Sequence, residues 1–292
     1  MSHLARPGDT IAGRYRVVRP LGTGSVAEVF AAHDTKRDRD VALKIMRRHM
    51  ARDPEALSRL DREAKVQQMI RHPNVAKLYG GGVTERNEPY LVVELLHGRS
   101  LRDVVQRDGW VPGDLAAGYA WQALQGLAAT HQVGVLHRDL KPANLMLEPP
   151  RESGGIERVV LIDFGFAALE GGGRLTAQGH VVGSLAYLAP ERLMGEAGDE
   201  RSDVYALAVI LYELMTGRRP FVADSDLELI NLHLEAAPVP PRLAAPERDI
   251  APALENIVLA ALSKDPGGRP ANAPAMADAL AAAGAQVPPV EG

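Results

Sequence analysis

The chain has 292 residues, with 33 basic and 37 acidic side chains, a net charge of −4, 46% hydrophobic residues and no cysteine. This ordinary balance excludes the basic character of a nucleic-acid binder or a polybasic membrane arm; the lack of cysteine excludes disulfides, thiol nucleophiles and cysteine zinc sites. The nine histidines show no HExxH or comparable ligand spacing. The length fits one large domain or two lobes sharing a cleft. The N-terminus MSHLARPGDT lacks an apolar core, so it does not read as a secretory signal. The most apolar run, VYALAVILYELM (Val204 to Met215), contains Glu213 and is too short to span a bilayer, so it predicts a buried helix. The chain reads as soluble and cytoplasmic, with no membrane segment.

In chain order, YRVVRPLG, VAEVFAAH and RDVALKIM are rich in β-branched residues and separated by turn formers such as Gly22, Gly24 and the charged run from Asp34 to Asp40. They predict an antiparallel meander. A helix follows, with Asp53 as N-cap, Pro54 at its first position, and Leu57, Leu60 and Ala64 at helical spacing. VAKLYGGGV and PYLVVELL predict two more strands. From Ser100 onward the pattern turns helical, in LAAGYAWQALQGLAATHQ, in VYALAVILYELMTG and in LENIVLAALSKD. Composition therefore shifts between Leu96 and Ser100, from a small β-rich lobe to a larger helical one. The stretch from Ala271 begins as an Ala-rich helix and ends in GAQVPPVEG, which reads as a frayed tail.

Chemistry concentrates in a few segments. In LGTGSVAEVF, Gly22 and Gly24 lie on a turn between strands, where missing Cβ atoms let backbone N–H groups approach an anion. No Gly-Lys-Ser/Thr follows, which excludes a Walker loop, and the next element is a strand, which disfavours a dinucleotide fold. In VALK, Lys44 stands on a strand, and Glu63 stands on the following helix. A strand lysine held by a helix carboxylate is a fixed cation for phosphate oxygens. HRDLKPANLML offers Asp139 to a hydroxyl, Lys141 to a transferring phosphoryl group and Asn144 to a metal, which is the positioning and charge neutralisation that phosphoryl transfer requires. Asp163 ends the apolar strand VVLIDFG, a costly place for a carboxylate unless it meets a cation such as Mg²⁺.

Taken together, these segments resemble the bacterial eukaryotic-like (Hanks-type) serine/threonine protein kinases over about residues 11 to 275. They stand in the family's order: Gly-rich loop, VALK, Glu63, HRDLKPAN, DFG, APE at Ala189 to Glu191, then SDVYALAVILYELMTGRRPF and KDPGGRP. The resemblance implies an α+β, bilobal protein-kinase fold. Its β-rich N-lobe, about 11–96, carries one main helix, and its mostly helical C-lobe covers about 97–275, between tails 1–10 and 276–292. It implies that Leu21, Gly22, Gly24, Val29, Ala42 and Val93 surround ATP, with Glu94 and Leu96 offering backbone hydrogen bonds to adenine. Lys44, paired with Glu63, would hold the α- and β-phosphates. Asp139 would orient the substrate hydroxyl, Lys141 would stabilise the γ-phosphoryl charge, and Asn144 and Asp163 would bind Mg²⁺ or Mn²⁺. Asp203 would anchor the catalytic loop, and Arg269 would pair with Glu191. LKPAN is the Ser/Thr pattern, with Lys141 discriminating.

Three departures stand out. Ala27 replaces the third glycine of the loop, Ser184 stands where the family has threonine, and the linker EPPRESGGIER before DFG reads as a surface insertion. Arg138 implies a receptor for an activation-segment phosphate, and Thr176 is the candidate phosphosite. Partners are protein substrates, with a homodimer during trans-autophosphorylation and no nucleic acid. Three rivals are an ATP-binding scaffold without turnover, a small-molecule phosphotransferase and a purely interacting module. The first normally lacks one of Lys44, Asp139, Asn144 or Asp163; the second lacks the HRDLK loop; the third would fail to bind Mg·ATP.

Overall fold

A computed structural model of the chain describes residues 4–24, 27–47, 54–150, 155–163 and 185–287, apart from the side chains at 54–57, 59, 60 and 63. The chain divides into two compact units. One comprises Met1–Arg71 and Val75–His97; the other comprises His72–Asn74 and Gly98–Gly292.

The first unit is an antiparallel sheet of six strands in the order β1-β2-β3-β4-β6-β5. The strands are β1 (Thr10–Ile11), β2 (Tyr15–Thr23), β3 (Ala27–Asp34), β4 (Arg39–Met46), β5 (Leu78–Val83) and β6 (Pro89–Glu94). Helix α1 (Pro54–Gln67) carries Glu63 in its backbone; the Glu63 side chain and Asp53 lie outside the described residues. Alternation along the strands puts Phe30, Leu43, Ile45 and Val92 on one face, where they form the core of the unit with Tyr15 and Val17. Within the stretch expected as a tail, Ala5 is buried in that core and Leu4 packs beside it. Its apolar residues cover the sheet face that would otherwise meet water. At the end of β3, fully buried Asp34 accepts two 2.6 Å hydrogen bonds from Arg14.

The second unit contains a three-stranded sheet, β7 (Arg99–Ser100), β8 (Leu145–Glu148) and β9 (Arg158–Leu161), with β8 central. Its described helices are α2 (Leu101–Asp108), α3 (Gly113–His131), α4 (Pro190–Leu193), α5 (Glu200–Thr216), α6 (Asp226–Glu235), α7 (Pro241–Ala244), α8 (Pro252–Ala261) and α9 (Ala273–Ala282). The apolar run predicted as a buried helix is α5, covered almost all round. Asp199 and Ser202 cap its start, and Gly217, at φ 70°, ends it in the left-handed conformation that glycine adopts without penalty. Glu213 is tolerated there because Tyr187 donates a 2.6 Å hydrogen bond to it, although burial raises its pKa.

The boundary expected at 275 falls inside α9. Met276, Ala277 and Leu280 of that helix are buried, and Gln286 donates from its backbone to Asp114 on α3. A Cβ on Gly118 would meet the Gln286 carbonyl at 2.2 Å, so the glycine permits this close approach. Of the long linker before β9, residues 151–154 lie outside the described residues, but Glu157 is held by Arg99 and by the Tyr119 hydroxyl.

Candidate active site

Register fixes the first group of residues. Val29 pairs with Lys44, Ala42 pairs with Val93, and Gly22 pairs with Val29. Directly opposed residues share a face, and so do residues two apart on one strand. Val29, Ala42, Lys44 and Val93 therefore line one face of the sheet, opposite the core face of Phe30 and Ile45. Ala42, a small residue at the centre of this face, leaves room beside Lys44. The Gly24 N–H closes the β2–β3 turn by donating to the Ala27 carbonyl at 2.8 Å, and Leu21 on β2 is exposed. Glu94 donates its N–H to the Lys77 carbonyl at 2.8 Å. Leu96 follows β6, outside any strand or helix.

The second group lies in the second unit, on the loop between α3 and β8. Buried Leu140, Leu145 and Leu147 anchor this loop, and Pro142 opens a 3₁₀ turn, Pro142–Asn144, that carries Asn144 inward. Lys141 Nζ donates to Asp139 Oδ2 at 2.7 Å. The Asn144 amide nitrogen donates to the Asp139 carbonyl at 2.8 Å and to its Oδ2 at 3.1 Å. One carboxylate thus gathers an ammonium and an amide within hydrogen-bond reach. The Ile162 N–H donates to the Asn144 carbonyl at 3.0 Å, which brings the end of β9 and Asp163 beside the same turn.

Arg138 and Asp163 both adopt left-handed backbone, at φ 65° and 60°. Side chains resist this conformation, and it persists only where the surroundings hold it. For Arg138 the holder is Asp203, near the start of α5. Its carboxylate accepts from the Arg138 N–H at 3.0 Å, the His137 N–H at 2.8 Å and His131 Nε2 at 2.9 Å. Burial pushes the Asp203 pKa up, but these donors and the nearby histidines outweigh it and hold the carboxyl below its usual range. His137 is completely buried, which lowers its pKa, and its Nε2 lies 3.1 Å from the Ile162 carbonyl.

Further along, buried Arg269 uses all five of its donors. Two go to the Glu191 carboxylate, at 2.8 Å each, and the others reach the carbonyls of Ser263, Arg201 and Lys264. Ser202 donates to the same carboxylate at 2.5 Å. Burial raises the Glu191 pKa, and these bonds bring it below the ordinary value.

The structure thus gathers Asp139, Lys141 and Asn144, sets Asp163 beside them, and pairs Asp203 with the loop and Glu191 with Arg269. Thr176, Ser184 and the Phe164-Gly165 of DFG lie outside the described residues, as does the expected contact of Lys44 with the Glu63 side chain. Sequence reasoning missed His131 and Ser202, which support the loop and Glu191. It also missed Asn74, whose side chain donates to the Val159 carbonyl and to Gln122. Hydrogen bonds between residues this distant leave no local pattern.

Comparison with known proteins follows this geometry. The protein kinase domain family profile matches residues 15–281. The chain is 38% identical to the serine/threonine-protein kinase pkn3 of Myxococcus xanthus, over 92% of this chain and 49% of that protein. It is also 38% identical to the serine/threonine-protein kinase PknB of Mycolicibacterium smegmatis, over 89% of this chain and 41% of that protein. It spans less than half the length of these curated relatives. The crystal structure of the Mycobacterium tuberculosis PknI kinase domain superposes with a TM-score of 0.74 at 27% identity, covering 96% of this chain and 99% of that one.

Proposed function

This chain belongs to the protein kinase domain family, and from that premise we propose that it transfers the γ-phosphate of Mg·ATP to serine and threonine hydroxyls of proteins, as part of bacterial signalling. The observation that carries the reading is the cluster of Asp139, Lys141 and Asn144, locked by Asp203 through a strained backbone. Asp139 accepts the proton of the attacking hydroxyl as the new O–P bond forms and the bond to the β-phosphate breaks. Lys141 turns its ammonium to the transferring phosphoryl oxygens and offsets their charge.

The oxygen donors fit a hard divalent cation. The Asn144 nitrogen is committed to Asp139, which leaves its Oδ1 to ligate, and the Asp163 carboxylate supplies the second ligand for Mg²⁺ or Mn²⁺. When bound, the metal neutralises phosphate charge. Among the described residues no three His, Asp or Glu side chains cluster as a metal cage. In the first unit, Lys44 holds the α- and β-phosphates with Glu63 as its partner, while Leu21, Gly22, Gly24, Val29, Ala42 and Val93 surround the nucleotide. Because the Glu94 N–H is engaged by Lys77, its carbonyl is the group offered to the adenine amine; Leu96 supplies the N–H.

Arg138 is the receptor for a phosphate placed on Thr176 by autophosphorylation between two copies of the chain. Supporting this, burial and the nearby Arg138 charge lower the Arg192 pKa, and a phosphate would relieve that repulsion. No helix among the described residues is long and apolar enough to cross a membrane, and we place the chain in the cytoplasm. Intact mass after incubation with Mg·ATP, beside Asp139→Asn and followed by phosphosite mapping, tests the proposal. Phosphate gained by the wild type and absent from the variant is expected. ATP bound without phosphate gain in either would favour a scaffold.

A further inference from the structure

Opposite Lys44 and Val29, the first unit carries an ion pair that the reaction does not use. Glu28, second residue of β3, is buried, and a buried carboxylate is costly without partners. One partner is Arg47, just beyond β4, whose Nη2 lies 3.2 Å from Glu28 Oε1. The Leu4 N–H reaches Glu28 Oε2 at 3.2 Å, from the N-terminal residues that cover the sheet core. The same Arg47 also donates through Nε to the Gly24 carbonyl at 3.2 Å. Gly24 thus has both backbone groups engaged, its N–H by Ala27 and its carbonyl by Arg47.

Register puts this cluster out of reach of a nucleotide on the Lys44 face. Glu28 pairs with Ile45, whereas Val29 pairs with Lys44, so Glu28 and Lys44 project from opposite faces. The guanidinium suits the task because it is planar and forked: one N–H takes a carboxylate while another takes a carbonyl. Lysine, with a compact ammonium, could not span both in that geometry.

We propose that Arg47, oriented by Glu28, is a positioning residue for the Gly22–Gly24 turn: it pins the Gly24 carbonyl from behind and sets the height of the turn over ATP. This rests on the reading of the turn as the nucleotide cover. A glycine turn that carries Ala27 where the family has a third glycine has less freedom of its own at that position, and the clamp fixes its base as well. Arg47 does not touch the nucleotide. Its effect is on the entropy lost when the turn closes over the phosphates, so it acts on nucleotide affinity rather than on the chemical step.

The test compares wild type with Arg47→Gln, Arg47→Lys and Glu28→Gln. It measures Mg·ATP affinity, kcat and KM for each substrate, melting temperature, and amide hydrogen exchange at residues 22–29. Arg47→Gln is expected to weaken ATP affinity by about 3- to 10-fold, the range for one ordinary hydrogen bond. Expected with it are kcat within about 2-fold, an unchanged peptide KM and faster exchange at residues 22–29 but not in β6. Arg47→Lys should recover only part of the loss, and Glu28→Gln should weaken affinity no further when added to Arg47→Gln. A lowered melting temperature with unaltered ATP affinity would show a merely structural ion pair and overturn the proposal; so would additive losses in the double variant. If the wild type itself binds no Mg·ATP, the nucleotide reading fails first and the clamp falls with it, whereas intact wild-type binding with indifferent variants sinks the clamp alone.

Discussion

The two units position the groups proposed to react by different means. In the first, Lys44, Val29, Ala42 and Val93 are strand residues, and the ladder that forms the sheet also sets their common face. In the second, Asp139 and Lys141 lie on a loop with Arg138 at a positive φ, and a buried carboxylate more than sixty residues away holds the loop in place. A site built on a sheet is placed by its own hydrogen bonds. A site built on a loop depends on distant polar partners. Substitutions far from the chemistry should therefore damage the second unit's site much more than the first's.

The largest expected effect is at the loop itself. Asp139→Asn keeps the shape and the contact with Asn144 but removes the proposed base, and phosphoryl transfer should fall by about 10³-fold. Mg·ATP affinity should stay near wild type, which a fluorescent nucleotide titration beside a peptide assay would check. Asp203→Ala is the sharper test of the comparison. It removes the acceptor of the His137 and Arg138 N–H groups and of His131 Nε2 in the core and should cost about 3–5 kcal/mol of stability. Activity should fall even at temperatures where the protein remains folded. Full activity in that variant would mean that the Arg138 strain needs no outside holder, and the contrast between the units would collapse.

Arg269→Met addresses the same dependence further from the loop. It strands the Glu191 carboxylate, buried beside Ser202, and about 3 kcal/mol of destabilisation is expected by denaturant titration. In the first unit the matching change is Asp34→Asn, which weakens the bidentate pair with Arg14. The Arg14 hydrogen bond, working against burial, holds the Asp34 carboxyl down at about 2. Its stabilisation is therefore complete above about pH 4, the usual carboxylate value, and is lost as the pH falls toward 2. Wild type should lose more stability than Asp34→Asn across that interval.

These contrasts also explain what the sequence made legible. β-Branched content and turn residues located β2, β3, β4, β5 and β6, because strand patterning is local. The all-apolar run located α5, because a helix buried on every side shows no polar stripe. The side chains proposed to react stood out as motifs, since phosphoryl transfer fixes residue types at close spacing. Their supports were less so: His131 and Ser202 looked like ordinary polar helix residues, and nothing near Glu28 announced Arg47 as its partner. The packing of the two ends was not legible, for one shared cause. Leu4-Ala5 and the Ala-rich α9 are short or weakly patterned, and their order comes from surfaces that other parts of the chain supply.

The smallest expected effect probes the apolar side of the second unit. His233 on α6 is buried, with its Nδ1 2.9 Å from the Tyr205 hydroxyl and its ring edge-on to Phe221 at 4.8 Å. Burial, with the positive charges of Lys264 and Arg219, lowers its pKa to about 4. Lys264 cannot withdraw easily, since its ammonium donates to the Leu232 and His233 carbonyls and sits over Phe221. The unfolded chain therefore takes up a proton near the ordinary histidine value of about 6.5, while the folded one resists it. The stability contribution is complete above pH 6.5 and declines as the pH falls toward 4, by about 2 kcal/mol between pH 6.5 and 5. Other groups titrate in that window: burial also lowers His137 and His72, and Glu213 moves the opposite way. The informative quantity is thus the difference between wild type and His233→Gln, followed by thermal denaturation at both pH values. The variant should lose less stability on acidification, and parallel curves would mean that His233 already carries its proton in the folded state.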